Sequence, residues 1–443
     1  MFRDLVASMS DLQLKGPTMH GQGSPASVRR VLAASLIGTA IEFYDFYIYA
    51  TAASLVFGPL FFPASSPSAQ LLSAYATFAI AFIARPVGAV FFGHFGDRMG
   101  RKATLVASLL LMGVSTTLIA FLPTFQMVGW VAPALLCLLR FGQGLGLGGE
   151  WGGAALLAVE NAPDGKRARF GMFPQLGAPV GFIAANGFFL LLGLSLSEED
   201  FQNWGWRLPF LASALLVAVG LWVRLSLTET PAFSKARQEK APALIPLGEL
   251  LRSHWREVLG GTFAVVACFV VYYVATAFAL GFGTTELGYS REAFLLVQLI
   301  AILFMAMGII ASGYLSDALS SRYVLMAGCL AAVAAGFLAA PLMGSSSLVL
   351  VGVFLSFALL IMGFVYGPLG AWLPGLFPTR VRYSGASLAF NVGGVLGGGL
   401  TPIVAQVLAE EGGLGWVGLY FSGAAGLSLV ALALSRTTYR NHD

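Results

Sequence analysis

GHFGDRMGRK at residues 93–102 and GYLSDALSSRY at 313–323 are the two stretches on which the fold turns. Each opens on glycine (Gly93, Gly313), carries aspartate four residues later (Asp97, Asp317) and follows the second apolar run in a set of six. Repetition at such a spacing marks a duplicated unit. A second echo agrees: NAPDGKRARFG at 161–171 and FPTRVRYSG at 377–385 each separate the fourth run of a set from the fifth.

Working outward, apolar runs of bilayer-spanning length recur at approximately 31–57, 69–93, 103–122, 127–160, 169–194, 207–226, 257–282, 291–313, 323–343, 347–374, 383–408 and 415–435. The chain is 57% hydrophobic and 10% charged, whereas a soluble domain is about a quarter charged. The pattern predicts an all-α integral membrane protein with twelve transmembrane helices in two pseudo-symmetric six-helix bundles, 31–226 and 257–435. The polar stretch 227–256 links them, and 1–30 and 436–443 are tails. Of the 25 Lys and Arg, 21 fall in the tails and in loops on the N-terminal side; Arg207 and Arg291 fall opposite and Arg85 and Arg140 inside spans. That bias places both termini in the cytoplasm. It also accounts for the net charge of +4, with basic residues scattered over short loops and no patch for nucleic acid. The first apolar run is too long for a signal peptide. Cys137, Cys268 and Cys329 lie in apolar runs without ligand spacing. No HExxH, GxSxG or Cys/His cluster is present, so neither an enzyme nor a metal or cofactor is expected.

Five charges fall inside the apolar runs, away from their ends: Glu42, Asp45, Arg85, Arg140 and Glu150. Left unpaired they would cost on the order of 12 kcal/mol on insertion scales, so they must be paired, wet, or both. Glu42, Asp45 and Tyr49 share one face of the first helix, the carboxylates roughly 16 and 21 Å from its start. Desolvation favours the neutral carboxyl and a nearby cation the charged one, so a substrate can switch a proton there; the other reading is a structural ion pair. Arg85 lies about 12 Å from the loop at Gly93, in reach of Glu42, and offers a fork of donors to a carboxylate; it can equally clamp two helices. Arg140 precedes Gly142, Gly144, Gly146, Gly148 and Gly149, where backbones can approach closely. Gln143 and Glu150 share a face, and Glu150 is a further candidate proton carrier. Away from their ends, the C-terminal spans carry no formal charge. Their polar points are Tyr272, Tyr273, Gln298, Tyr366, Asn391 and Gln406, and with Gln175 of the first bundle they are candidate ligand contacts or interhelical hydrogen bonds.

GHFGDRMGRK resembles the loop 2–3 signature of the major facilitator superfamily, and RFGQGLGLGG at 140–149 its helix 4 signature. GTAIEFYDFYIYATAASLVFGPLFFP at 38–63 and FIARPVGAVFFGHFGDRMGRK at 82–102 are similar to the metabolite:proton symporter family within it. The resemblance covers nearly the whole chain.

It implies a monomeric secondary transporter of a bacterial cytoplasmic membrane, working by alternating access. Arg140 becomes a proton-coupling or substrate residue. Asp97 would brace the two halves through helix 11, and Arg98 and Arg101 would pair with Glu160. The second copy keeps Gly313, Asp317 and Arg322 but has Ala318 in place of Arg98, and Arg382 sits in the loop matching 161–171. Gly93, Asp97, Arg98, Arg101, Glu160, Asp317, Arg322 and Arg382 form the expected gating set. With two intramembrane arginines, the resemblance favours protons moving with a small organic acid of the shikimate, 2-oxoglutarate or citrate kind. The alternatives are a zwitterion such as proline or betaine, or passive uniport.

Overall fold

The structure, a computed structural model, describes residues 25–63, 66–99, 101–226, 246–378 and 381–435, with the side chains of 25–31, 93–105, 223–226, 246–247 and 249 outside that description. Within it run twelve long helical segments. In the first half these are α1 (Pro25–Leu55), α2 (Pro67–Met99), α3 (Arg101–Ile119), α4 (Val131–Glu160), α5 (Arg167–Ser195) and α6 (Leu208–Ser226). The second half holds α7 (Trp255–Thr285), α8 (Arg291–Ala318), α9 (Ser321–Gly336), α10 (Leu348–Trp372), α11 (Arg382–Gly412) and α12 (Leu414–Leu434).

The packing repeats with the chain. In the first half α1 lies on α5 and α6, α4 on α2 and α3, and α3 on α6. Six helices later α7 lies on α11 and α12, α10 on α8 and α9, and α9 on α12. The halves meet chiefly through α2 against α11 and α5 against α8, pairs that exchange under the same six-helix shift. Large apolar side chains such as Leu138, Leu215, Ile300 and Leu303 face outward, as a hydrocarbon environment requires. The α7 helix is the exception, with 94% of its most apolar window buried, against 39% for Gly205–Trp222. It is a central post.

Local chemistry sets the ends and breaks. Helix α1 begins at Pro25, ahead of the apolar run, because proline suits a first turn whose N–H groups have no partner. The stretch 93–99, read from sequence as a loop, continues α2, and 313–318 continues α8. Nothing in either breaks a helix, so the polar signature is a helix end. Part of the expected linker, Pro246–Ser253, is a short helix ahead of α7; 227–245 lie outside the described residues. Gly413, at φ 72°, makes the turn from α11 into α12. A Cβ at Gly144 would strike the backbone of Ala81, and one at Gly148 that of Arg85. Helix α4 therefore crosses α2 backbone to backbone.

Five of the helices are interrupted along their length, α5 at Leu176 and α10 at Gly367–Pro368 among them. Helix α4 breaks at Gly148–Gly149, and α7 and α11 take π-turns at Val274–Phe278 and Val395–Gly399. Such turns release backbone carbonyls and recur at functional sites. The side chain of Gln298 donates to Ala275 O and Thr276 O at 3.2 and 2.9 Å, and Tyr75 and Ser54 donate to Ala277 O at 2.7 and 3.2 Å.

Candidate functional site

The interruptions surround a cavity between the halves. Glu42 and Tyr47 of α1, Arg85 of α2 and Trp151 of α4 line it from one side. Tyr272 and Tyr273 of α7, Tyr366 of α10 and Phe390 and Asn391 of α11 line it from the other. Its free volume is about 30 Å3, room for about two waters.

Polar atoms without partners mark the wall. The guanidinium carbon of Arg85 lies 4.6 Å from the ring centre of Phe46 and 5.0 Å from that of Phe82, and its Nε has no hydrogen-bond partner. The hydroxyls of Tyr272 and Tyr366 are likewise buried without one. Buried polar groups are rarely left so, because each costs roughly 1–3 kcal/mol. Three of them belong to residues around one cavity. The flanking rings are stacked: Tyr47 on Tyr272 at 5.3 Å, and Trp151 on Phe390 at 3.8 Å and 1°. Trp151 donates to Gln175 Oε1 at 3.2 Å, and Gln175 to Tyr366 O at 3.3 Å. Asn391 donates to Gly148 O at 2.9 Å, a carbonyl that the α4 break exposes.

Asp45 and Arg140, both fully buried, lie outside that wall, inside the first bundle. Asp45 Oδ1 accepts from Ser213 at 2.6 Å, and Oδ2 has no partner. Gln143 donates to Asp45 O and Thr116 Oγ1, both at 2.9 Å. Arg140 donates to Gln143 Oε1 and sits among the rings of Tyr49, Phe46 and Phe78, 3.8, 4.5 and 4.8 Å from their centres. Aromatic faces are good seats for a desolvated cation. Tyr49 bonds Thr77. Glu150 accepts from Ser108 at 3.0 Å.

At the end where α1 begins, Asp317 accepts from Ala168 N at 2.8 Å and from Arg169 Nε at 2.7 Å, so the end of α8 caps the start of α5 across the halves. Tyr383 donates to Gly149 O. At the opposite end Arg291 of α8 pairs with Glu198 of the first half at 3.2 Å and covers the ring of Phe201 at 3.7 Å. The halves thus touch at both ends of the molecule.

The expected site residues therefore divide. Glu42, Arg85, Tyr272, Tyr273, Tyr366 and Asn391 come together at the cavity. Tyr49, Arg140 and Gln143 do not line it; they form the sealed network with Asp45. Gln175 braces Trp151 from behind, and Gln298 lines a smaller neighbouring cavity. Arg140 sits in an aromatic cage. Arg322 binds within its own half, donating to Leu432 O at 2.9 Å and to Ala433 O, which caps α12 and latches nothing across the halves. Arg382 lies within electrostatic reach of Glu160. The side chains of Gly93, Asp97, Arg98 and Arg101 lie outside the described residues. Reading the sequence missed Tyr47, Trp151, Phe269 and Phe390 in the wall, and Thr116 and Ser213 as partners of the network. Only Trp151 carried a signal, its place just after Gly148–Gly149.

The model of the Major Facilitator Superfamily matches residues 35–402. The inner membrane metabolite transport protein YhjE of Escherichia coli is 52% identical over 93% of this chain and 95% of its own. The shikimate transporter of Escherichia coli is 36% identical, covering 95% and 97%, and the proline/betaine transporter of Salmonella typhimurium 34%, covering 87% and 78%. In fold the chain is similar to the xylose transporter XylE from E. coli in a partially occluded inward open conformation, with TM-score 0.71 and 16% identity over 91% and 96%. With its twelve helices in two halves about a central cavity, this chain belongs to the Major Facilitator Superfamily and is a multi-pass membrane transporter of metabolites.

Proposed function

We propose that the protein carries a small organic acid together with protons, by alternating access, across a bacterial inner membrane with both termini in the cytoplasm. The observation that carries this reading is the cavity wall, where the unpartnered Arg85 Nε and the hydroxyls of Tyr272 and Tyr366 face a space shared with Glu42. A carboxylate is the natural complement of a guanidinium. Coupling follows from charge: a second carboxylate entering beside Glu42 in a narrow cavity of low dielectric needs a proton to offset like-charge repulsion. Anion and proton then move as a neutral pair. Asp45, with one oxygen unpartnered inside the first bundle, offers a further proton position. The shikimate transporter among the relatives fits this class.

A zwitterion is the second reading. Glu42 and Arg85 line one cavity with Trp151, Tyr47 and Phe269, and aromatic faces suit a substituted ammonium; a relative is named a proline/betaine transporter. The test is uptake by proteoliposomes under an imposed pH gradient, with organic acids and betaines in parallel. Uphill accumulation of an acid that collapses with a protonophore is expected. Uptake that only equilibrates would leave passive transport, and accumulation of betaine alone would favour the zwitterion.

A further inference from the structure

Beside the central cavity lies a second one of about 10 Å3, room for about one water. The two share a wall, since the stacked rings of Tyr47 and Tyr272 line both. The polar side chains of the smaller one are Thr51, Asn186, Thr276 and Gln298, each at least 95% buried. None carries a charge. Thr51 donates to Asn186 Oδ1, while the Asn186 amide nitrogen donates to no group among the described residues. Gln298 spends its nitrogen on Ala275 O and Thr276 O, leaving its own Oε1 without a donor. An unused donor and an unused acceptor thus border a space the size of one oxygen.

We infer that this small cavity is a neutral subsite for a hydroxyl group of the transported metabolite, reached from the charged cavity when Tyr47 and Tyr272 part. Asn186 donates to the hydroxyl oxygen and Gln298 accepts its proton, while the charged end of the substrate stays at Arg85. The subsite selects hydroxylated substrates over their unsubstituted analogues, because an analogue without the group leaves both amides unpaired. Water offers the same chemistry, and the experiment separates the two sources. The inference rests on the organic-acid or zwitterion reading above.

The test is equilibrium binding to purified full-length protein with three matched pairs. These are 4-hydroxycyclohexanecarboxylate with cyclohexanecarboxylate, 3-hydroxybutyrate with butyrate, and 4-hydroxyproline with proline. In at least one pair the hydroxylated member is expected to bind at least about tenfold tighter. The double variant T51V/N186L, which replaces both hydrogen-bonded partners by apolar groups of similar shape, is expected to bring that pair within about twofold through weaker binding of the hydroxylated member. Asn186→Ser gives a milder second reading should the double variant fold poorly. Equal binding of both members of every pair to the unaltered protein, or a preference that survives in the variants, overturns the subsite and leaves a water there. Failure of all six compounds to bind overturns the organic-acid and zwitterion reading, and the subsite with it.

Discussion

Phe46 stands between two cations. Its ring centre is 4.6 Å from the guanidinium of Arg85 at the cavity and 4.5 Å from that of Arg140 in the sealed network, and it follows Asp45 in α1. One ring thus touches the substrate side and the buried acid's side together. Phe46→Leu removes two cation–π contacts worth about 0.5–2 kcal/mol each. It is expected to lower the melting temperature and to weaken proton-driven accumulation more than counterflow exchange; equal losses in both assays would leave Phe46 a packing residue. Arg85→Ala is expected to weaken binding of an organic acid about ten- to a hundredfold, the range for hydrogen bonds to a charged group, as read by ligand-induced thermal shift. Asp45→Asn keeps the shape of the side chain. Uphill uptake is expected to vanish while exchange persists, and undiminished accumulation would free Asp45 of any coupling role. The five buried charges were legible as a set, since charge inside an apolar run is visible in any reading. Which of them face the cavity was not. Helical spacing gives depth and relative azimuth within one helix, but Arg85 and Arg140 both sit in helices apolar all round, so nothing in the sequence marks which face meets the other half.

The helices owe their placement to points of contact as much as to length. Crossing α4 over α2 needs bare backbone at Gly144, where a Cβ would strike Ala81. Gly144→Ala is therefore expected to destabilise by about 1–3 kcal/mol, the usual cost of overpacking, seen as a lower melting temperature in detergent. A variant as stable as the parent would mean that the crossing has slack. All twelve segments were legible from run length and polar breaks, because the hydrocarbon thickness sets a minimum that few other constraints imitate. Their interruptions were not. The Gly148–Gly149 pair reads equally as tight packing or as a break, and only Asn391 and Tyr383 of the other half, taking the released carbonyls, decide between the two. The π-turn in α7 left no local mark at all: Val274–Phe278 is as apolar as its neighbours, and the residue that pins it, Gln298, lies in the next helix.

Across the whole molecule, contacts between the halves lie at both ends. Asp317 with Ala168 and Arg169 holds the end where α1 begins, and Arg291 with Glu198 and Phe201 holds the other. Cys268, in the cavity wall, is a native reporter once Cys137 and Cys329 are replaced by serine. Asp317→Ala is expected to speed its labelling by an impermeant thiol reagent from the α1 side, and Arg291→Ala from the opposite side. Labelling unchanged in either variant would remove that contact from the gating scheme. The sequence pointed to Asp317 through its echo of Asp97; it joined Arg291 only to its neighbour Glu292, because Glu198 lies 93 residues earlier in the chain. The narrowness of the cavity has one more consequence. With about 30 Å3 of free volume, it has no room for a thread of water or a hydrated ion. In this conformation the space between the halves offers ions no continuous path, so a gradient is spent only when the halves rearrange around a load.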